Sequence, residues 1–282
     1  LLAGLFFVLP GAAVIWALAV AYILYGAQAW AVAAFIGVKA AVITIVIQAL
    51  FKLSQKALTG WPGRLITLSA FLGLFAFGAP YPLILVLAAL AGSLLFVSDS
   101  KPPIEIPPAP PLFQSLRRLS LGLALWLAPL AALALTGHSF LTELAAYFAQ
   151  LALLSFGGAY ALLGWMTQTM VQDHSWITSS QMIDALGLAE TTPGPLILVT
   201  QFTSHIAGYA QGGFGLAAAA GLLTLWMVFT PCFLYIFLGA PYLERLLAMP
   251  RLRAALSGVT AAVTGVIASL SLWFALSVLW PD

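Results

Sequence analysis

The stretch Gly187–Gln201, GLAETTPGPLILVTQ, is apolar enough to lie within a bilayer, yet Pro193-Gly194-Pro195 interrupts it. Proline removes a backbone donor and clashes with the preceding turn, so no helix runs through this point. A second break, Phe156-Gly157-Gly158, sits inside LALLSFGGAYALLGW (Leu151–Trp165). The apolar runs beside each break are roughly 12–16 residues, short of the ~20 that a full crossing needs. Leu141–Ala210 therefore reads in two ways: as two re-entrant hairpins with tips at Gly157-Gly158 and Pro193-Gly194-Pro195, or as two full crossings. Both return the chain to its starting side, as external positions for Gly137 and Gly212 require. Non-helical backbone at depth survives only where it is buried in protein or lines a polar cavity.

The rest of the chain supports a lipid solvent. Of 282 residues, 63% are hydrophobic and 6% charged, against about a quarter charged in soluble domains. A net charge of +2 with no basic run excludes a nucleic-acid partner. Cys232, the single cysteine, excludes a disulfide framework and a thiolate metal cluster. Spans are expected at Leu2–Tyr25, Trp30–Leu50, Leu65–Phe77, Tyr81–Val97, Leu119–Thr136, Gly213–Leu238 and Ala254–Leu279. Pro80 and Pro82 make Leu65–Phe77 and Tyr81–Val97 a short helical hairpin.

Ser98–Pro111, SDSKPPIEIPPAPP, holds six prolines and is expected to run extended outside the lipid. It divides the chain into residues 1–97, the C-terminal part of a first membrane repeat plus the short hairpin; a linker, 98–112; and a second repeat, 113–282. A shift of 221 positions pairs Pro10 with Pro231, and AAFIGVKAAVITIV (Ala33–Val46) with AALSGVTAAVTGVI (Ala254–Ile267), identical at seven of 14 positions. That repeat predicts a counterpart of Leu141–Gly221 upstream of Leu1, so the chain reads as a fragment. Lys and Arg accumulate in cytoplasmic loops. The loop at Gly26 has none and the next holds Lys52, Lys56 and Arg64, whereas the loop equivalent to Gly26 holds Arg245, Arg251 and Arg253. Equivalent loops with opposite bias imply inverted repeats, a transporter architecture with its site at the repeat interface near the midplane. The expected fold class is an all-α polytopic membrane protein built of inverted repeats with broken or re-entrant helices.

A helix restarting after a break points unpaired N–H groups and a positive dipole end at the gap. Several restarts facing one cavity make an anion site from backbone; the competing reading is that the glycines only let helices pack closely. FGGAY (Phe156–Tyr160), Trp176-Ile177-Thr178 with Gln181 and Asp184, GLAETTPGP (Gly187–Pro195) with Gln201, FVLPGA (Phe7–Ala12) and GVKAAV (Gly37–Val42) resemble the chromate ion transporters. The resemblance implies an exporter of chromate with two homologous halves, the first normally bringing its own FGG and PGP segments.

Candidate substrate-binding residues are Phe156, Gly157, Gly158, Thr191, Thr192, Pro193, Gly194, Pro195 and Gln201, the threonines and Gln201 as hydrogen-bond donors. Glu190 is the candidate proton carrier, a carboxylate at depth costing roughly 3 kcal/mol. Lys39 serves the anion pathway, neutralises Glu190 or snorkels. Asp184 reads as an interfacial or helix-N-terminal acid, His205 as a satisfied intramembrane histidine or a proton relay, and Trp165 and Trp176 as interface anchors. No metal site and no cofactor are expected. Without a Walker loop, the expected activity is secondary transport in the cell inner membrane, with the lipid bilayer, protons and chromate or a sulfate-like oxyanion as partners; a homodimer stays open. The alternatives are transport of sulfate or another oxyanion, and a membrane-embedded enzyme acting on phosphate-bearing lipid. The paired acids or HExxH-like ligands of such an enzyme are absent from the sequence.

Overall fold

The computed structural model describes residues 2–58, 60–96, 112–155 and 159–279, and every regular element within them is helical. In chain order these are α1 (Leu2–Tyr25), α2 (Ala29–Ala57), α3 (Gly60–Phe75), α4 (Tyr81–Leu95), α5 (Leu112–Thr136), α6 (Ser139–Leu153) and α7 (Ala159–Met166), which continues as a π-helical stretch, Thr167–Asp173. They are followed by α8 (Ser179–Thr191), α9 (Val199–Ala248) and α10 (Pro250–Leu279). α1, α2, α5, α9 and α10 each contain a stretch long and apolar enough to cross a membrane. The chain is thus an all-α polytopic membrane protein. Most of the proline-rich linker, and the break Phe156-Gly157-Gly158, lie outside the described residues.

α9 is two helices joined by a tight turn. Gly213 sits at φ +75°, where a Cβ is disfavoured, and separates arms 199–211 and 214–248. The arms fold back on each other: a Cβ on Gly208 would stand 2.7 Å from the Leu216 carbonyl. Ser204 on one arm accepts a hydrogen bond from Thr224 on the other (2.7 Å). Such close approach of small residues lets helices associate where lipid removes the hydrophobic drive.

α10 is the most enclosed of the long helices and receives the short hairpin. A Cβ on Gly92 of α4 would come within 2.6 Å of the Ala254 carbonyl, and Thr67 of α3 donates to the Ala261 carbonyl at 2.8 Å. Further on, Leu74, Phe75 and Gly78 share a cavity with Ser269, Leu270 and Trp273. α3 therefore runs with α10 and α4 runs against it. On the other side, Trp126 of α5 donates to the Met227 carbonyl (2.9 Å), and Gly122 lies against Leu234, so α5 opposes the long arm of α9.

These registers fix the two ends of the bundle. One end collects the α2–α3 junction, the end of α4, the start of α5 and the α9–α10 junction. Those segments carry Lys52, Lys56, Arg64, Arg117, Arg118, Arg245, Arg251 and Arg253. The turns at Gly26, Gly78, Gly137 and Gly212-Gly213 gather at the other end. α2 stops where α10 starts, so the helices paired by the sequence repeat run in opposite senses, as inversion requires. The basic-residue rule predicts that the charged end faces the cytoplasm. In a Cys232→Ser background, cysteines replacing Ala27 and Arg251 should therefore react with impermeant reagent from opposite faces. Labelling of both from one face would refute the arrangement.

Candidate functional site

α8 begins at a capping box. The Thr178 hydroxyl accepts from the Gln181 N–H (3.2 Å), and Gln181 Oε1 accepts from the Thr178 N–H (2.8 Å), so two donors that a helix start leaves open are satisfied reciprocally. The helix ends at Thr192, which is extended (φ −95°, ψ 146°) as a residue before proline must be. Gly194 then takes φ +132°, a value that residues with a Cβ rarely adopt. The chain restarts as a 3-10 turn, Leu196–Leu198, in which the Leu198 N–H donates to the Pro195 carbonyl (3.0 Å). Pro195 has no N–H, and helix geometry leaves those of Leu196 and Ile197 without an intrahelical acceptor.

The break lies against the middle of α1. A Cβ on Gly11 would stand 2.8 Å from the Pro193 carbonyl, 2.7 Å from Leu198 Cδ1 and 3.3 Å from Gly194 Cα, so glycines on both sides permit the contact. From there both flanking helices lead towards the end that lacks basic residues. α8 packs Gly187 against Val38 and Val42 of α2. The short arm of α9 packs along α1, with Gln201 Nε2 donating to the Ala12 carbonyl (3.1 Å) and the His205 ring edge-on to Trp16 (4.8 Å). α8 has 13 residues, about 20 Å at 1.5 Å per residue, which is some two-thirds of a hydrocarbon core of ~30 Å. The π-helical extension of α7 reaches the same end, where Gln168 Nε2 donates to the Gly78 and Ala79 carbonyls (3.2 and 3.3 Å).

Around the break, Thr191, Pro193 and Gly194 are exposed, while Glu190, Thr192 and Pro195 are half-buried. The Thr191 and Thr192 hydroxyls donate to the Leu188 and Ala189 carbonyls of their own helix, both at 3.1 Å; each must rotate before it can donate to a ligand. Gln201 is fully buried on the α1 side, its Oε1 without a hydrogen-bond partner. His205 Nδ1 lies 2.8 Å from the Gln201 carbonyl. The carbonyl can only accept, so Nδ1 carries a proton, while Nε2 is buried without a hydrogen-bond partner.

The Lys39 ammonium donates to Ser180 Oγ (2.6 Å) and lies 3.5 Å from Asp184 Oδ1. Asp184 is buried within the protein, 3% exposed, and Oδ2 accepts from the Tyr22 hydroxyl at 2.8 Å. Trp165 and Trp176 are buried too, the first stacked on Tyr81 (5.2 Å) and the second on His174 (4.3 Å), so they are core residues rather than interface anchors. Sequence reasoning missed Tyr22, Ser180 and the role of Gly11. Only Gly11 carried a local signal, as Pro10-Gly11 inside an apolar span.

Comparison with known proteins gives the arrangement a context. Residues 1–93 and 142–281 match the protein family described as chromate transporter. The chain is 33% identical to a probable chromate transport protein of Synechococcus elongatus, over 95% of this chain and 64% of the relative. It is 28% identical to the chromate transport protein of Cupriavidus metallidurans, over 94% and 62%, and 29% identical to that of Pseudomonas aeruginosa, over 96% and 62%. The chain thus spans less than two-thirds of the length of these relatives. No solved structure matches it.

Proposed function

The chain belongs to the chromate transporter family, and from that premise we propose that it carries chromate outward across the cell inner membrane as a secondary transporter. The oxyanion binds where α8 breaks and α9 restarts. The observation that carries this reading is the placement of Pro193-Gly194-Pro195 against Gly11, midway along α1, with the start of α9 opening onto it. A helix start is an anion site by its free N–H groups and its dipole, and at mid-depth it holds an anion without a permanent charge that would trap it. α8 and the short arm of α9 form a re-entrant hairpin from the external end, and α6 with α7 forms a second. Thr191 and Thr192 add donors once their hydroxyls turn from their own helix. Gln201 braces α9 against α1 beside the site.

The driving force follows from charge. An inside-negative potential favours outward movement of a dianion by about 4.6 kcal/mol per 100 mV, twice the single-charge value. Glu190, three residues before Pro193 and half-buried, carries the proton that couples transport to a pH gradient. The test is chromate uptake into inverted membrane vesicles under an imposed potential, with sulfate in parallel. Accumulation above vesicles lacking the protein is expected. Sulfate carried without chromate would reassign the substrate to another oxyanion, and transport of neither would refute the proposal.

A further inference from the structure

Lys39 of α2 and Asp184 of α8 form a charged pair between the two helices. Lys39 stands ten residues into α2, ~15 Å along its axis. Asp184 is on the face of α8 that also presents Ser180, one turn earlier, and nine residues before Pro193, ~13 Å along the helix. Both therefore lie between the break and the external end. The pair is loose. At 3.5 Å, Lys39 Nζ to Asp184 Oδ1 exceeds the ~2.7–2.9 Å of a charge-assisted hydrogen bond, and Oδ1 accepts no hydrogen bond. The ammonium has three donors, and its one short bond goes to the neutral Ser180 hydroxyl (2.6 Å). The lysine side chain is 24% exposed, its partner carboxylate 5%. Asp184 has a second holder, the Tyr22 hydroxyl (2.8 Å), which keeps its carboxylate hydrogen-bonded if the lysine leaves.

We propose that Lys39 is a second oxyanion station on the external side of the break, and that Asp184 occupies it in place of substrate. An oxyanion leaving the break takes the ammonium's unused donors, and Asp184 remains on Tyr22. When the anion departs, Asp184 reclaims the lysine, so the cation neither stays bare in an apolar layer nor holds the substrate indefinitely. This inference rests on the break being the substrate's mid-membrane site.

Equilibrium binding of chromate and of sulfate to purified protein tests it, comparing wild type, Asp184→Asn and the double variant Lys39→Gln/Asp184→Asn. Asparagine keeps the size and the Tyr22 hydrogen bond but withdraws the competing charge. Affinity should rise about tenfold. The double variant leaves no orphaned charge and should bind at least about tenfold more weakly than wild type. Should Asp184→Asn not fold, Tyr22→Phe serves instead: it deprives Asp184 of its other partner, ties it more firmly to Lys39 and should weaken binding. Wild-type binding that Asp184→Asn leaves unchanged or weakens, or that the double variant retains, would overturn the second station alone. Unchanged or tighter binding by Tyr22→Phe would do the same. Binding of neither anion by wild type or Asp184→Asn would overturn it together with the reading on which it rests.

Discussion

Gly194→Val is expected to abolish chromate transport while the chain still inserts and folds. Two independent features oppose any side chain at this position. The backbone φ of +132° lies where residues with a Cβ rarely go, a penalty of order 1–3 kcal/mol. A Cβ would also stand 3.1 Å from Leu198 Cδ1 and 3.3 Å from Gly11 Cα, and the branched valine adds two methyl groups to that contact. The break relieves this only by moving away from α1 or by turning Gly194 to another φ, and either motion re-aims the start of α9. A misplaced site loses about tenfold in rate for each 1.4 kcal/mol of lost stabilisation, so the flux should fall by a factor on the order of 100. Gly11→Val should act alike from the opposite side of the contact. Gly37→Ala is the control, since a Cβ there meets nothing within 4 Å and alanine favours the helix. Retention of half the wild-type flux by Gly194→Val, at equal amounts of membrane protein, would remove the break from the transport path.

The long helices were legible because lipid leaves no alternative: an apolar run of sufficient length must close its own hydrogen bonds. Their ends were less so. α2 continues to Ala57, past the expected Leu50, because Lys52 and Lys56 are good helix formers at a water-facing end. α3 starts at Gly60 rather than Leu65, with Pro62 in its first turn, where a missing N–H costs nothing. The break after α8 could be read from proline stereochemistry alone, and its positive φ fell on the one residue between the prolines that tolerates it. The partnership of Lys39 with Asp184 could not be read. It joins positions 145 apart, and neither helix carries a periodic signal that specifies which acid faces which base. The family resemblance placed Asp184 in a motif without giving it a partner. The burial of Trp165 and Trp176 was hidden for a related reason: the same indole suits a lipid interface or a packed aromatic cluster, and only the neighbouring Tyr81, Tyr147 and His174 rings decide. Glycine's second use was legible only in part. Gly187 and Gly92 allow close helix packing, whereas Gly194 takes the positive φ of the break.

Glu190→Gln should separate energy coupling from substrate binding. Glu190 is in the last turn of α8, one residue before Thr191 and within a turn of the break. Glutamine preserves its length and one hydrogen-bonding oxygen while removing titration. If Glu190 carries the coupled proton, chromate binding should persist in the variant and strengthen, because a negative charge beside the anion has gone. Exchange of labelled for unlabelled chromate should persist as well, since exchange needs no net proton movement. Flux driven by a pH gradient, with the membrane potential clamped at zero, should fall at least about tenfold, as for loss of a group essential to one step. Flux driven by the potential alone should survive, because the dianion's own charge supplies that force. A structural brace predicts a different pattern, in which binding, exchange and both driven fluxes decline together or all stay intact. The measurement is chromate flux into inverted vesicles under each gradient separately, wild type against Glu190→Gln. An unchanged pH-driven flux in the variant would exclude Glu190 as the proton carrier and turn attention to His205, whose Nε2 is buried without a partner further along the short arm of α9.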